Sequence, residues 1–331
     1  MSDQNFAIGV DLGGTKTLIG FVNRKGEILA KKQLPTNPAL PPNVHLLTCM
    51  SHIKSLLKEA NLSLDKQVGL GVNVPGLADS KQGRLIFAPF LNWRDVDIKS
   101  FFQKEWPELQ VEVANDVNAC AIGELLVGKA QGMKNFLWVT ISTGIGGGLV
   151  VDRKIVEGQS LIAGEIGHVV VDWEKGAQCP CGNRGCLEAH GSGTAISRIA
   201  QEAILQEEND ALATFFSSRG LPVTAETVAE AAYSGIAPAI AIYEKAGESI
   251  GRALSYSINL LNPEAIFLGG GVSRSLDLYL PSVKKVIERS VIHETNQKTP
   301  ILKTGLGYEA GLIGAASLVF HAREKRRDQH V

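Results

Sequence analysis

The sequence lacks several features that would settle its class at once. Its formal net charge is only -1, so it has no general field to gather nucleic acid. Its basic run, Arg323 to Arg327, lies near the end of the chain and reads as a solvated helix terminus, where cations suit the helix dipole. No run of about eighteen apolar residues occurs, which argues against a membrane-spanning helix. The N-terminal MSDQNFAIGVDLGGT has no basic segment leading into an apolar stretch and a small-residue cleavage site. A cytoplasmic location is expected. Cysteine is scarce too: five in 331 residues, and a reducing cytosol would keep them from pairing as structural disulfides. Cys49 and Cys120 stand alone in apolar helical segments and read as small buried hydrophobes. The phosphate-binding pattern G-x-x-x-x-G-K-[ST] is absent, so this is not a P-loop protein.

What is present is ordinary globular material. At 331 residues with 44% hydrophobic and 20% charged, the chain is long enough for two cores. Asn5 to Asn23, NFAIGVDLGGTKTLIGFVN, is a β-rich run broken by Gly-Gly, and a third strand is expected over Glu27 to Leu34 after the Lys25-Gly26 turn. Asn135 to Glu157, NFLWVTISTGIGGGLVVDRKIVE, repeats the plan. A repeat at a spacing of about 130 residues implies two related domains rather than a solenoid. Each meander is followed by alternation: a helix near Val44 to Ala60, strands QVGLGVNV and VEVAND and a helix from Val117 to Gly128; then helices around Ala195 to Gln206 and Ala239 to Leu261, a strand at Ala265 to Leu268, a helix near Leu278 to Arg289, strand ILKT and a final helix. That pattern predicts mixed sheets covered by helices, twice. The Pro35 to Asn43 segment reads as a loop.

Two glycine-rich turns could be no more than tight hairpins. Their content adds chemistry: Asp11, Thr15 and Lys16 surround Gly13-Gly14, and Ser142 and Thr143 lead into Gly146 to Gly148. Bare amides and small hydroxyls are thus concentrated where a phosphate can approach. Two such turns on two domains, facing one another, would grip a polyphosphate across a cleft. Gly305 to Ala310, GLGYEA, fits a dinucleotide fingerprint, but no second strand follows to complete a βαβ unit. Asn115-Asp116 closes a strand and opens a helix. Asp116 could be only an N-cap, or it could accept a proton from a substrate hydroxyl, since a carboxylate of ordinary pKa, about 3.9, is ionised at neutral pH.

Taken in order, DLGGTK, VPG at Val74 to Gly76, NDVNACAIGE, STGIGGG, AGEIGH, CPCGNRGCLE and NPEAIFLGGG resemble the ROK family of sugar kinases and related repressors, over essentially the whole chain. The resemblance implies an α/β actin-like (ribonuclease-H-like) duplicated two-domain fold with a central cleft. The expected division is residues 1–116 plus 306–331 against residues 117–305. It implies an ATP-dependent hexose kinase that phosphorylates a 6-hydroxyl, glucose foremost. N-acetylmannosamine, N-acetylglucosamine or β-glucoside kinases are the alternatives, and a non-catalytic sugar-sensing regulator is the alternative of another class. Carried onto this chain, the family roles make Asp116 the base. Gly76, Asn92, Asn115, Glu165, His168 and Glu188 contact the sugar together with Asp116. Gly13, Gly14, Thr15 and Lys16, with Thr143, Gly144, Gly146 and Gly147, hold phosphates. Asp11 lies near Mg2+, and Gly269, Gly270 and Gly271 lie by the adenosine. The expected partners are a hexose and ATP, with no nucleic acid and no membrane, in a homodimer or homotetramer. Many family members have Gly where Ser142 stands. Family repressors carry a helix-turn-helix ahead of their DxGGT motif, whereas ten residues precede Asp11, so the regulator reading has no evident DNA-reading part.

Cys179, Cys181 and Cys186 leave one position of a tetrahedral zinc unfilled. His168 follows GEIG shortly before them and would supply it, a redox pair of cysteines being the alternative. Four protein ligands make a closed, structural Zn2+ site, which would pin Glu165 and Glu188 toward one sugar.

Overall fold

The computed structural model describes residues 5–205 and 210–328; Gln206, the predicted end of one helix, lies outside the described residues. The chain opens with β1 (Phe6–Leu12), β2 (Lys16–Asn23) and β3 (Ile28–Pro35), then α1 (Pro42–Glu59) and β4 (Gln67–Val74). A small sheet follows, formed by β5 (Leu77–Asp79), β6 (Arg84–Ala88) and β7 (Trp93–Asp97), and then come α2 (Ile98–Glu105), β8 (Val111–Asn115) and α3 (Asp116–Val127). The second meander is β9 (Phe136–Ile141), β10 (Ile145–Val151) and β11 (Lys154–Ile155). Helices α4 (Glu188–Gly191), α5 (Gly193–Leu205), α6 (Asp210–Arg219), α7 (Ala225–Tyr233) and α8 (Ala237–Leu261) precede β12 (Ala265–Gly269). The chain ends through α9 (Leu276–Ser290), α10 (Glu294–Gln297), β13 (Ile301–Lys303) and α11 (Ala310–Asp328).

Duplication, inferred from the repeated glycine-broken strands, is written in the sheet orders. One five-stranded sheet runs β3-β2-β1-β4-β8 and the other β11-β10-β9-β12-β13: in each, the meander is followed outward by two later strands. β1 pairs antiparallel with β2 and β2 with β3, while β1–β4 and β4–β8 are parallel. The same contrast holds in the second sheet, where β10–β11 is antiparallel and β9–β12 and β12–β13 are parallel.

The chain divides into two compact units, residues 1–133 with 148–163 and 304–331, and residues 134–147 with 164–303. In the first, one face of the sheet packs α1 and α2 through Leu46, Ile53, Ile98 and Phe102. The other face packs α11, whose Leu312, Ala316 and Val319 meet Ala7, Val22 and Val68. This unit runs past Asp116, after which a break was expected. α3 is apolar nearly all round and buries Ala119, Ile122 and Leu125, and a helix with no polar face must be covered on more than one side. Its small residues let it approach α11 closely. In the second unit β12 is buried along its full length, with Phe267 edge-on to Phe136 at 5.5 Å. Tyr243 of α8 stacks on Tyr279 of α9 at 6.4 Å.

Local signals explain the helix ends that matter. Thr224 and Thr227 form a reciprocal capping box at α7, and Asn262 takes left-handed backbone to end α8. The Pro35 to Asn43 loop is shorter than expected, since Pro35 still pairs in β3 and α1 begins at Pro42; proline is tolerated in a first helical turn, whose amides have no partner within the helix. Among the described residues no helix is long and apolar enough to cross a membrane.

Candidate functional site

In the first unit the N-terminus of α3 is the organising point. The Asn115 side-chain oxygen accepts from the amides of Val117 (2.9 Å) and Asn118 (3.2 Å), while its Nδ2 donates to the Gly76 carbonyl at 3.0 Å. Asn115 is therefore the N-cap, a role worth about 1 kcal/mol. Asp116 becomes the first residue of the helix, its Oδ1 accepting from the Val117 amide at 2.9 Å. The structural explanation for a carboxylate at this place thus belongs to its neighbour.

Gly76 sits where a Cβ would lie 2.3 Å from the Phe87 carbonyl oxygen, so the chain after β4 runs hard against β6. Ala88 of β6 pairs with Trp93 of β7, and the turn between them holds Asn92, exposed and in left-handed backbone at φ 52°. Phe90 of that turn meets Gly14, whose Cβ would be 3.3 Å from the Phe90 Cβ. One face of the unit therefore gathers the first glycine turn, Asn92, Gly76, Asn115 and Asp116.

The first glycine turn closes on itself: the Gly13 amide donates to the Lys16 carbonyl at 2.9 Å, and a Cβ on Gly13 would stand 2.6 Å from that same oxygen. Only glycine fits. Asp11, at the end of β1 opposite Asn73 of β4, has its carboxyl pushed above the usual range by burial, an effect opposed by a hydrogen bond with Asn73 and by the Lys16 charge. Lys16 donates to the Tyr308 hydroxyl and lies over its ring at 4.6 Å, a contact invisible in the sequence because 292 residues separate the partners.

In the second unit the 142–147 turn is held from outside. Ser142 donates to the Gly144 carbonyl at 2.9 Å and accepts from Gly193 at 2.7 Å. Glu188 accepts from the Ile145 amide at 2.9 Å, and a Cβ on Gly144 would lie 2.5 Å from that carboxylate. Glu188, expected to contact the sugar, thus braces the second glycine turn. Ser142, Thr143 and Gly271 open onto a cavity of about 590 Å³ that Glu230, Tyr233 and Arg274 also line. That volume suits a nucleotide-sized ligand. These last three had no signal in the sequence: they arrive through the packing of α7 beside the segment after β12.

His168, Cys179, Cys181 and Cys186 offer four ligand atoms within 4.8 Å of one another. The Cys179 sulfur is 3.7 Å from His168 Nδ1, and the Cys181 and Cys186 sulfurs are 3.7 Å apart. A tetrahedral zinc with bonds of about 2.3 Å has ligand edges of about 3.8 Å, so the set fits that ion. The loop that makes the set is tight: Cys179 donates to Asn183 at 2.8 Å, and Gly182 to Cys179 at 3.0 Å. Burial pushes the Cys186 thiol up to about 12, helped by its two neighbours, whereas the Asn183 amide pulls the exposed Cys181 down. Metal binding to thiolates would release those protons. With Nδ1 turned to the cysteines, His168 Nε2 faces Glu165 at 3.9 Å.

The ROK family profile matches residues 7–322. The chain belongs to the ROK family. It is 35% identical over 319 residues to a glucokinase of Halalkalibacterium halodurans, covering 96% of each chain. It superposes with a TM-score of 0.79 on a ROK family glucokinase from Streptomyces griseus solved with glucose and AMPPNP, at 31% identity over 96% of this chain and all of that one. It also superposes with a TM-score of 0.87, at 27% identity, on a ROK family transcriptional regulator homologous to the E. coli MLC protein, covering 96% of this chain and 78% of the regulator. The two-unit α/β architecture is accordingly the actin-like fold of ROK sugar kinases.

Proposed function

We propose that the protein is an ATP-dependent glucose kinase that transfers the γ-phosphate of ATP to the sugar 6-hydroxyl. The observation that carries this reading is the arrangement at α3: Asn115 is the N-cap, so capping does not call for a carboxylate at Asp116, which stands beside it at the helix N-terminus with its Oδ1 on the Val117 amide. Two glycine turns, the adjoining cavity of about 590 Å³ and 35% identity to a glucokinase along 96% of the chain support it.

In this reading Asp116 accepts the proton of the 6-hydroxyl as that oxygen attacks phosphorus. Phosphoryl transfer asks mainly for alignment and charge neutralisation, and fixing both reactants contributes on the order of 7 kcal/mol. The turns formed by Gly13, Gly14, Thr15 and Lys16 and by Thr143, Gly144, Gly146 and Gly147 receive phosphates. Ser142, Thr143 and Gly269 to Gly271 border the nucleoside, with Tyr233 and Glu230 at the far wall. Mg2+ would supply charge neutralisation when bound, and Asp11 would help to hold it. Gly76, Asn92, Asn115, Glu165, His168 and Glu188 orient the sugar. His168, Cys179, Cys181 and Cys186 would hold a structural Zn2+, and His168 Nε2, which faces Glu165, would be left to a sugar hydroxyl or to Glu165. A homodimer or homotetramer in the cytoplasm completes the proposal.

A coupled ADP-release assay over glucose, mannose, both N-acetylhexosamines, allose and a β-glucoside tests it. Glucose is expected to give the highest kcat/KM. Sugar binding without turnover on any hexose would favour the regulator, a reading that the 0.87 superposition on a transcriptional regulator keeps in contention.

A further inference from the structure

The core of the first unit carries a set of polar side chains that none of the roles above uses. Thr17 follows the first glycine turn directly and is fully buried; it pairs in register with Leu12 and Leu34, both part of the apolar core. Its hydroxyl lies 2.8 Å from the Thr36 hydroxyl and 2.8 Å from His45 Nε2, and Thr36 and His45 are buried as well. Burial holds the His45 imidazole below its usual value, so the ring is uncharged at neutral pH and serves as a plain hydrogen-bonding group. Polar groups in an apolar core are costly unless each is paired, and a valine, with nearly the shape of Thr17, would make no such demand. What the bonds add is direction.

Each of the three residues leads to a part of the candidate site. Thr17 is the residue after Lys16. The Thr36 amide donates to the Thr15 carbonyl at 2.9 Å, so Thr36 holds the exit of the turn through its backbone and, through Thr17, by its side chain. His45, early in α1, sets its ring 5.8 Å from that of Trp93, at 58° to it. Trp93 opens β7 directly after Asn92, whose left-handed backbone at φ 52° shapes that turn. Phe90 of the same turn meets Gly14. The glycine turn and the Asn92 turn are thus joined twice, once through Phe90 and once through His45.

We propose that His45 is a positioning residue that holds the first glycine turn and the Asn92 turn in one fixed arrangement, through its bond to Thr17 and its ring contact with Trp93. The proposal rests on the kinase reading, in which the first turn receives phosphates and the second orients the sugar. Alignment of the two reactants is most of what phosphoryl transfer asks of a protein, and one buried side chain outside both turns here serves both.

Calorimetric titrations of the full chain with AMPPNP and Mg2+ and, separately, with glucose test this well below the melting temperature, where a purely structural role leaves affinity alone. His45→Leu should weaken each ligand by about fivefold or more, the usual worth of one lost neutral hydrogen bond. His45→Gln, whose side-chain amide can reach a hydroxyl as Nε2 does, should recover most of the AMPPNP affinity. Thr17→Val should weaken AMPPNP by about fivefold as well, and it carries the test if His45→Leu does not fold. Because both changes remove the same bond, the double variant should bind AMPPNP no worse than the weaker single variant. Wild-type affinity for AMPPNP in both His45→Leu and Thr17→Val, no recovery in His45→Gln, or a double variant showing the product of the two losses would each overturn the proposal alone. Wild-type protein that binds neither ligand would overturn the kinase reading and the proposal with it.

Discussion

The two glycine turns solve one problem by different means. The first, Gly13 to Lys16, is closed by its own backbone bond, and β1 and β2, paired residue by residue from Phe6–Asn23 to Leu12–Thr17, fix its geometry. The second, 142–147, is held by Gly193 and by the Glu188 carboxylate, and Glu188 is two residues from Cys186 of the candidate metal set. Strand register alone makes the first turn rigid. The second takes its shape from a segment that adjoins the candidate metal set His168, Cys179, Cys181 and Cys186. A turn built the first way tolerates loss of distant parts, and one built the second way transmits them.

The catalytic contrast comes first in size, because it separates the carboxylate from its capping neighbour. Asp116→Asn should lower kcat at least about a hundredfold while glucose affinity is largely kept, as expected for removal of a general base. Asn115→Ala should instead lower the melting temperature, by roughly 1 kcal/mol of lost capping, along with glucose affinity. Equal kcat in wild type and Asp116→Asn would remove Asp116 from that role.

Next is the metal. About one zinc per chain is expected by elemental analysis. Chelation, or Cys181→Ser, should weaken glucose binding by about tenfold or more, as the loss of charged and metal-oriented contacts does. Gly13→Ala should retain normal zinc content, showing that the first turn is independent. Metal-free protein with full activity would break the contrast.

The glycines sharpen it further. In Gly13→Ala the new Cβ meets a backbone oxygen at 2.6 Å that cannot withdraw, so a stability loss of about 1–3 kcal/mol is expected in thermal melts. In Gly144→Ala it meets the Glu188 carboxylate at 2.5 Å, a side chain that can move. That variant should melt nearly as wild type but lose kcat/KM, and Gly271→Ala, with open space around the added carbon, should melt normally.

The smallest effect is on pH. His321 is held down to about 4 by burial, whereas the unfolded chain takes up its proton near 6.5. The unfolded state therefore binds more protons between those values, and stability falls as pH drops from about 6.5 toward 4. His321→Phe should flatten that part of the melting-temperature profile; an unchanged slope would place the acid sensitivity elsewhere.

The meanders, their glycine breaks and the metal cluster were legible because each is local: β-rich runs, positive-φ turns and ligands within one loop leave their mark in a few consecutive residues. The inward helix α3 was legible as a helix, but its membership of the first unit was not, because only the close approach of α11 decides it. The β5 to β7 sheet escaped notice, its strands being three to five residues long. Glu230, Tyr233 and Arg274 were hidden for another reason: nothing near them in sequence hints at a ligand, and the cavity exists only once α7 is packed. The double use of Glu188 was likewise unreadable, since 43 residues separate it from the amide it holds.

The most direct test of the central claim is phosphorus NMR of the protein incubated with ATP, Mg2+ and glucose. The account predicts that the ATP γ resonance disappears as ADP and a single new phosphomonoester appear together, with that phosphorus coupled to the two protons on sugar carbon 6. ATP left intact beside bound glucose, or conversion to ADP and inorganic phosphate alone, would contradict it.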